Sequence, residues 1–205
     1  MRTEILIPTN EKCFRLMEKY QMLDNIKAHS LVVANVAHLL ARSLLNAGIS
    51  ISLEKVIAGA LLHDIGKTPS LKSGNDHSEI GRQICLDNNL EEIADIVGEH
   101  VRLKNYDLNG GYSEKEIVFY SDKRVNHDGI VSLEDRLAYI LERYGMNNDV
   151  RCRAIKRNYA HCQDLEKRMF SFLAFESADI SDLLISQRST ILTNIKNLGV
   201  INGAL

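Results

Sequence analysis

Seven histidines and four cysteines are the side chains of this sequence best suited to chemistry near neutral pH, and their neighbours decide which can be used. The informative pattern is a metal-capable residue inside an apolar helical stripe, where an unpaired imidazole or carboxylate is costly. His29 lies three, four, seven and eleven residues before Val32, Val33, Val36 and Leu40, so helical spacing turns it inward. His63 and Asp64 end a stripe built from Val56, Ile57, Ala60 and Leu61. His100 extends Ile93, Ile96 and Val97, and Asp122 lies between Val118 and Val125. His77 opens a helix whose inward residues are Ile80, Gly81 and Ile84. Each of these alone reads as a hydrogen-bonded core residue, a cap or a salt bridge. Four histidines and two aspartates together are better satisfied by a shared cation. Nitrogen and carboxylate donors without thiolate suit Fe, Mn, Zn, Ni or Co, and six donors fit two ions bridged by one carboxylate.

The remaining histidines read as ordinary. His38 lies half a turn round the helix from His29 and is expected to face away, His127 sits in an Asn-His-Asp-Gly turn, and His161 lies at the edge of an apolar stripe. Cys13, Cys85, Cys152 and Cys162 form no Cys-x-x-Cys pair, so they read as free thiols of a reducing compartment. No secretory leader or membrane span is read, and a soluble, cytoplasmic protein is expected. A net charge of −2 excludes a chain whose main task is coating a nucleic-acid polymer or an anionic membrane.

The elements that must position these residues are helices. Two prolines and twelve scattered glycines leave apolar residues recurring at three and four positions almost throughout. The spacing predicts an all-α fold, with helices near 10–21, 25–47, 53–66, 77–88, 90–102, 114–125, 133–144, 149–174 and 180–197. Ser113 to Glu116 forms a capping box, and Asp76 to Glu79 and Asn89 to Glu92 resemble one. Gly48 and Gly145 sit where helices could stop. Long loops are expected at 68–75 and 105–112. A chain of 205 residues fits one domain, here 1–205, with a helical core over 22–145 and a C-terminal helical extension over 146–205. The basic, apolar-striped helix near 149–174 reads as packing or a partner surface.

The order His29, His63-Asp64, Asp122 resembles the HD domain of metal-dependent phosphohydrolases, and His63-Asp64-Ile65-Gly66-Lys67 is similar to its HDIG variant. His77 and His100 resemble the two intervening histidines of the subset with a two-metal centre. Phe119 through Arg136 also resembles a segment of small bacterial HD proteins. The likeness covers about residues 22–145 and implies an all-α HD-domain helical bundle holding two divalent metal ions. It further implies that Asp64 bridges the ions, with His29, His63 and Asp122 completing one site and His77 and His100 the other. A water held between the ions would give the hydroxide that attacks phosphorus. Lys67, four residues after His63, can face the same cavity and is expected to bind substrate phosphate. The alternative is a surface lysine after a helix end. Arg82, Arg102, Lys104, Lys123 and Arg124 lie near the ligand positions in sequence and receive no role.

The resemblance implies hydrolysis of a nucleotide or other small phosphate ester or anhydride. Alarmone hydrolases follow the His-Asp pair with Glu-Asp, where this chain has Lys67-Thr68-Pro69, and Gly111-Tyr112-Ser113 lacks the proline of the Gly-Tyr-Pro phosphodiesterases. Mononuclear nucleotidases of the family lack the intervening histidines. Enzymes that split dinucleoside tetraphosphates symmetrically are similar at all six positions, which makes that substrate a specific candidate. Two alternatives stand beside this: a di-iron HD-domain oxygenase cleaving C–C or C–P bonds, and a non-catalytic helical metal-binding module. Oligomeric state is not legible in the sequence.

Overall fold

The computed structural model describes residues 7–104, 106, 112–145 and 148–186. Among them nine α-helices run in order: α1 (Asn10–Lys19), α2 (Asp24–Asn46), α3 (Leu53–Leu62), α4 (Lys67–Ser73), α5 (His77–Asp87), α6 (Glu91–Glu99), α7 (Glu114–Lys123), α8 (Leu133–Gly145) and α9 (Asp149–Phe170). The expected all-α class is what the fold shows. A two-residue hairpin, β1 (Val125–Asn126) paired antiparallel with β2 (Gly129–Ile130), follows α7 and is the one departure towards sheet among the described residues.

Local chemistry starts and stops the helices. Side chains of Thr9, Ser52, Asp76 and Asn148 accept from main-chain N–H groups of the first turns of α1, α3, α5 and α9. The Ser113–Glu116 capping box is present at α7. The sequence-level box at Asn89 is not, since α6 starts after Leu90 without a side-chain cap. The segment expected as a loop over 68–75 contains α4 instead. Pro69 is tolerated there because it sits in the first turn, where its missing N–H has no partner to lose, and Gly74 ends the helix at φ +72°. The helix expected over 53–66 ends at Leu62, because residues 63–66 form a tight turn into α4. The helix expected over 149–174 ends at Phe170. Helical turns run from Ile180 to Ser186; the rest of the 180–197 helix and the Gly110-Gly111 loop lie outside the described residues.

The core is organised round α2, which packs on α3 and α7, while α6 packs on α3, α5 and α7. By length and composition α2 could cross a membrane, yet 56% of its most apolar stretch is buried in this protein. Val33, Val36, Ala37, Leu40, Ala41 and Leu44 fill that interface. Every residue from Glu116 to Lys123 is buried, so α7 has no solvent face over that length. The C-terminal part is fastened to this core by Arg124, whose guanidinium donates to the Tyr120 hydroxyl (2.6 Å), Glu166 (3.2 Å), and the carbonyls of Val131 (2.7 Å) and Ser177 (2.9 Å). Arg124, which has no role legible in the sequence, thus has a structural place.

Candidate metal centre

The ends of α3, α5, α6 and α7 meet one face of α2 and bring all six predicted donors together. His29, His63, Asp64, His100 and Asp122 are buried, and His77 is half-buried at the first position of α5. Donor atoms of His29, His63 and Asp64 lie within 4.8 Å of one another, and so do those of Asp64, His77 and His100. The two oxygens of Asp64 face different groups. Oδ2 lies 3.3 Å from His63 Nε2 and 3.9 Å from His29 Nε2, and Oδ1 lies 3.4 Å from His100 Nε2 and 3.5 Å from His77 Nε2. Asp122 Oδ1 closes the first group, 3.0 Å from His29 Nε2 and 3.6 Å from His63 Nε2.

Three of the imidazoles are oriented by main-chain carbonyls. Nδ1–H of His29 donates to His127 O (2.7 Å), that of His63 to Ala60 O (2.7 Å), and that of His100 to Val97 O (2.6 Å). In the neutral ring, the form that binds metal, this bond takes the single proton and leaves the Nε2 lone pair facing the aspartates. Lone pairs that face carboxylate oxygens and one another repel unless a proton or a metal ion stands among them. His63 Nε2 and Asp64 Oδ1 are buried without a hydrogen-bond partner, which is costly for a protein polar atom and ordinary for a metal donor. His77 Nε2 and His100 Nε2 face each other at 3.2 Å, the spacing of two nitrogens that each reach one ion about 2.0–2.1 Å away. The residues therefore fit divalent metal.

Protonation follows from the same geometry. Burial alone would raise the Asp64 carboxyl, but His63, His100 and Lys67 outweigh it and hold it well below the usual carboxylate range. For Asp122 burial is likewise outweighed, by Lys123, His29 and His63. Burial, reinforced by His100, pushes His77 down to about 4, and burial lowers His100 as well. His63 goes the other way: the flanking carboxylates outweigh its burial and push it up to about 9.

Gly66 sets the distance between the two groups. A Cβ there would meet His77 O at 2.1 Å and Gly81 N at 2.6 Å, so only glycine lets the turn approach the start of α5 this closely. Lys67 then places Nζ 2.7 Å from Asp64 Oδ2, on the site rather than on an outer surface.

Sequence reasoning left Lys123 unassigned, and the structure buries it at the site. Its Nζ donates to Asp122 Oδ2 (2.9 Å) and His100 O (2.5 Å), lying 4.4 Å from the Phe119 ring centroid. Phe119 four residues earlier was the available signal, since i and i+4 share a helix face. Above the donors opens a cavity of about 320 Å³. Lys67, Lys123, Arg136 and Arg151 give it positive charge, and Ile140, Tyr144, Ile155 and Tyr159 from α8 and α9 form its far wall. The helix read as packing or a partner surface therefore also lines the site. Arg82 and Lys104 pair with Asp95 (3.0 Å) and Glu79 (3.0 Å) away from that cavity, and Arg102 is exposed. His38 is half-buried, and His127 and His161 are exposed.

A helical domain with histidine and aspartate donors converging from five helices is of the kind that binds divalent metal. Residues 26–156 match the HD domain, and the chain belongs to that family, whose superfamily is one of metal-dependent phosphohydrolases. It is 33% identical over 76 residues to an uncharacterized protein of Methanocaldococcus jannaschii, covering 37% of this chain and 44% of the relative. It is also 33% identical over 97 residues to a tRNA (cytidine(56)-2'-O)-methyltransferase of Thermoplasma volcanium, covering 47% of this chain and 27% of the relative. The chain thus spans less than half the length of either curated relative. No solved structure gives a match.

Proposed function

We propose that this protein is a two-metal phosphohydrolase of the HDIG type acting on a nucleotide or other small phosphate ester or anhydride. The observation that carries the reading is the division of Asp64, whose two oxygens face two sets of imidazoles beneath a cavity lined with cations. His29, His63, Asp64 and Asp122 would hold one ion, and Asp64, His77 and His100 the other. When bound, such ions acidify a water and stabilise charge developing on phosphoryl oxygens. Lys123 occupies Oδ2 of Asp122 and leaves Oδ1 to face the donors. Lys67 keeps 38% of its side chain exposed at the cavity, so its ammonium can turn from Asp64 to a substrate phosphate. Arg136 and Arg151 would take further phosphate charge, and Val101, Ile140, Ile155 and Tyr144 offer apolar surface to a nucleoside.

The cavity of about 320 Å³ lies at the small end of ligand pockets, roughly 300–1,000 Å³. It favours one nucleotide over a whole dinucleoside tetraphosphate, which would seat only one half. The substrate we propose is small and soluble, with no nucleic-acid polymer or membrane as partner, and the setting cytoplasmic. The test is metal analysis of the purified protein, followed by assays against nucleotides, dinucleotides and phosphate esters with Mn or Fe supplied. Two ions per chain and phosphate release are expected; fewer than two at saturation overturns the bridged site. Oxygen consumption with a polyol or phosphonate and no phosphate release would replace hydrolysis by di-iron oxygenation. Lys67→Ala should lower kcat/KM about 10- to 100-fold, the worth of one hydrogen bond to a charged group. Unchanged turnover and substrate affinity would remove Lys67 from the site's chemistry.

A further inference from the structure

The β1–β2 hairpin holds a non-glycine residue at positive φ, an uncommon conformation for a residue with a side chain. Asn126 pairs with Gly129, leaving His127 and Asp128 as the two loop residues. His127 has φ +54°, and Asp128 is not among the non-glycine residues with positive φ. Positive φ at the first loop position alone is the pattern of a type II′ turn, which favours glycine there. The nearest glycine, Gly129, instead lies in the following strand. His127 is exposed, so burial of its ring does not account for the residue, and the ring meets Tyr139 edge-on at 5.5 Å.

What the conformation delivers is a carbonyl. His127 O accepts from His29 Nδ1–H at 2.7 Å, and His29 Nε2 faces Asp122 and Asp64. The hairpin is pinned where that matters: Asn126 Oδ1 accepts from Arg136 Nη1 (2.7 Å), the Arg136 guanidinium lies 5.5 Å from the Tyr139 ring centroid, and Val131 N donates to Arg124 O (2.9 Å). His63 and His100 receive the same service from carbonyls of their own helices, three residues back. His29 lies within α2 and takes its orienting carbonyl from a strand turn 98 residues away. Backbone held in a sparsely populated region persists where surrounding contacts determine it and clusters at functional sites.

We infer that the left-handed backbone of His127 is a positioning device, aiming its carbonyl at His29 so that this imidazole keeps its proton on Nδ1 and offers Nε2 to metal. The inference rests on His29 being a metal donor, as proposed above. Its test is a backbone series at position 127 in the full chain. His127→Gly and His127→Asn tolerate positive φ, His127→Ala less well, and His127→Val resists it. Equilibrium titration of the metal-free proteins with Zn or Mn should give Gly and Asn the wild-type affinities. In Val, one of the two ions should bind about 10-fold or more weakly, with Ala between, because orienting partners of metal ligands carry effects of that size. The other ion, held by His77 and His100, should be unaffected, which a general loss of structure would not produce. Slow exchange of the His29 Nδ1 proton in Zn-loaded wild type, lost in Val, is the matching spectroscopic sign. If Val fails to fold, the Gly, Asn and Ala members decide. Equal affinities across the folded variants, or a Gly variant as weak as Val, overturn the inference while leaving the metal site standing. Failure of the wild type to take up metal overturns both.

Discussion

The donors grouped round His63 and those grouped round His77 share Asp64 but are held in different ways. His29, His63 and Asp122 come from α2, the end of α3 and α7, the helices whose packing makes the core, and the His63 side chain is 0% exposed. His77 is 26% exposed at the first residue of α5, whose main support is α6. His29, His63 and His100 each donate Nδ1–H to a carbonyl, whereas among the described residues none accepts from His77 Nδ1. Electrostatics divides the same way, with His63 pushed up to about 9 by the carboxylates that outweigh its burial and His77 pushed down to about 4 by burial and His100. One half is carried by the helices whose packing makes the core. In the other, His100 is buried and oriented like the core donors, and it is His77 whose place depends on a single turn, residues 63–66, keeping its distance from α5.

The comparison breaks most completely at the residue the halves share. Asp64→Asn keeps the shape of the side chain but removes the charge both imidazole groups face, so metal content should fall from two ions to none and turnover should vanish. Elemental analysis of purified protein checks this, and retention of one ion would show that the halves do not depend jointly on Asp64. Gly66→Ala should separate them. The added methyl meets the His77 carbonyl at 2.1 Å, so α5 must move, while α2, α3 and α7 keep their contacts. Overpacking of this kind costs about 1–3 kcal/mol, or a Tm lower by roughly 2–12 °C at this chain length. The ion at His77 and His100 should be lost and the one at His29, His63 and Asp122 kept. Loss of both together would mean that the turn positions the whole centre.

The same division explains how much was legible in the sequence. Helical periodicity set His29, His63, His100 and Asp122 on inward faces, because core donors obey the stripe of the helix that carries them. His77 was less constrained, standing at a helix start where no stripe precedes it. Lys123 escaped because α7 is buried all round, so one position past Asp122 is still inside. Arg136 and Tyr159 escaped for another reason: they reach the cavity from α8 and α9 through tertiary packing, 72 and 95 residues after Asp64. The hairpin carbonyl over His29 left no trace in residue type, since the main chain supplies it and a left-handed histidine reads as any turn residue. Pro69 and nearby polar residues suggested a loop, and the helix-start tolerance for proline decided for α4.

The finest test of the comparison is a proton count. With His63 pushed up to about 9 and His77 pushed down to about 4, the metal-free protein is expected at pH 7 to carry a proton on His63 and none on His77. A metal donor must be deprotonated, so filling the core half releases the His63 proton and filling the open half releases none from His77. Affinity of the core half should therefore rise with pH, by up to tenfold per unit, until pH passes about 9 and then level off. That of the open half should stay nearly flat from about pH 5 upward. Calorimetric titration in two buffers of different ionisation enthalpy measures the released protons directly. The core half, identified as the ion retained by Gly66→Ala, should release about one proton per ion at pH 7. Equal release from both halves would mean that burial and the carboxylates do not set His63 and His77 apart, and the two halves would then differ in packing alone.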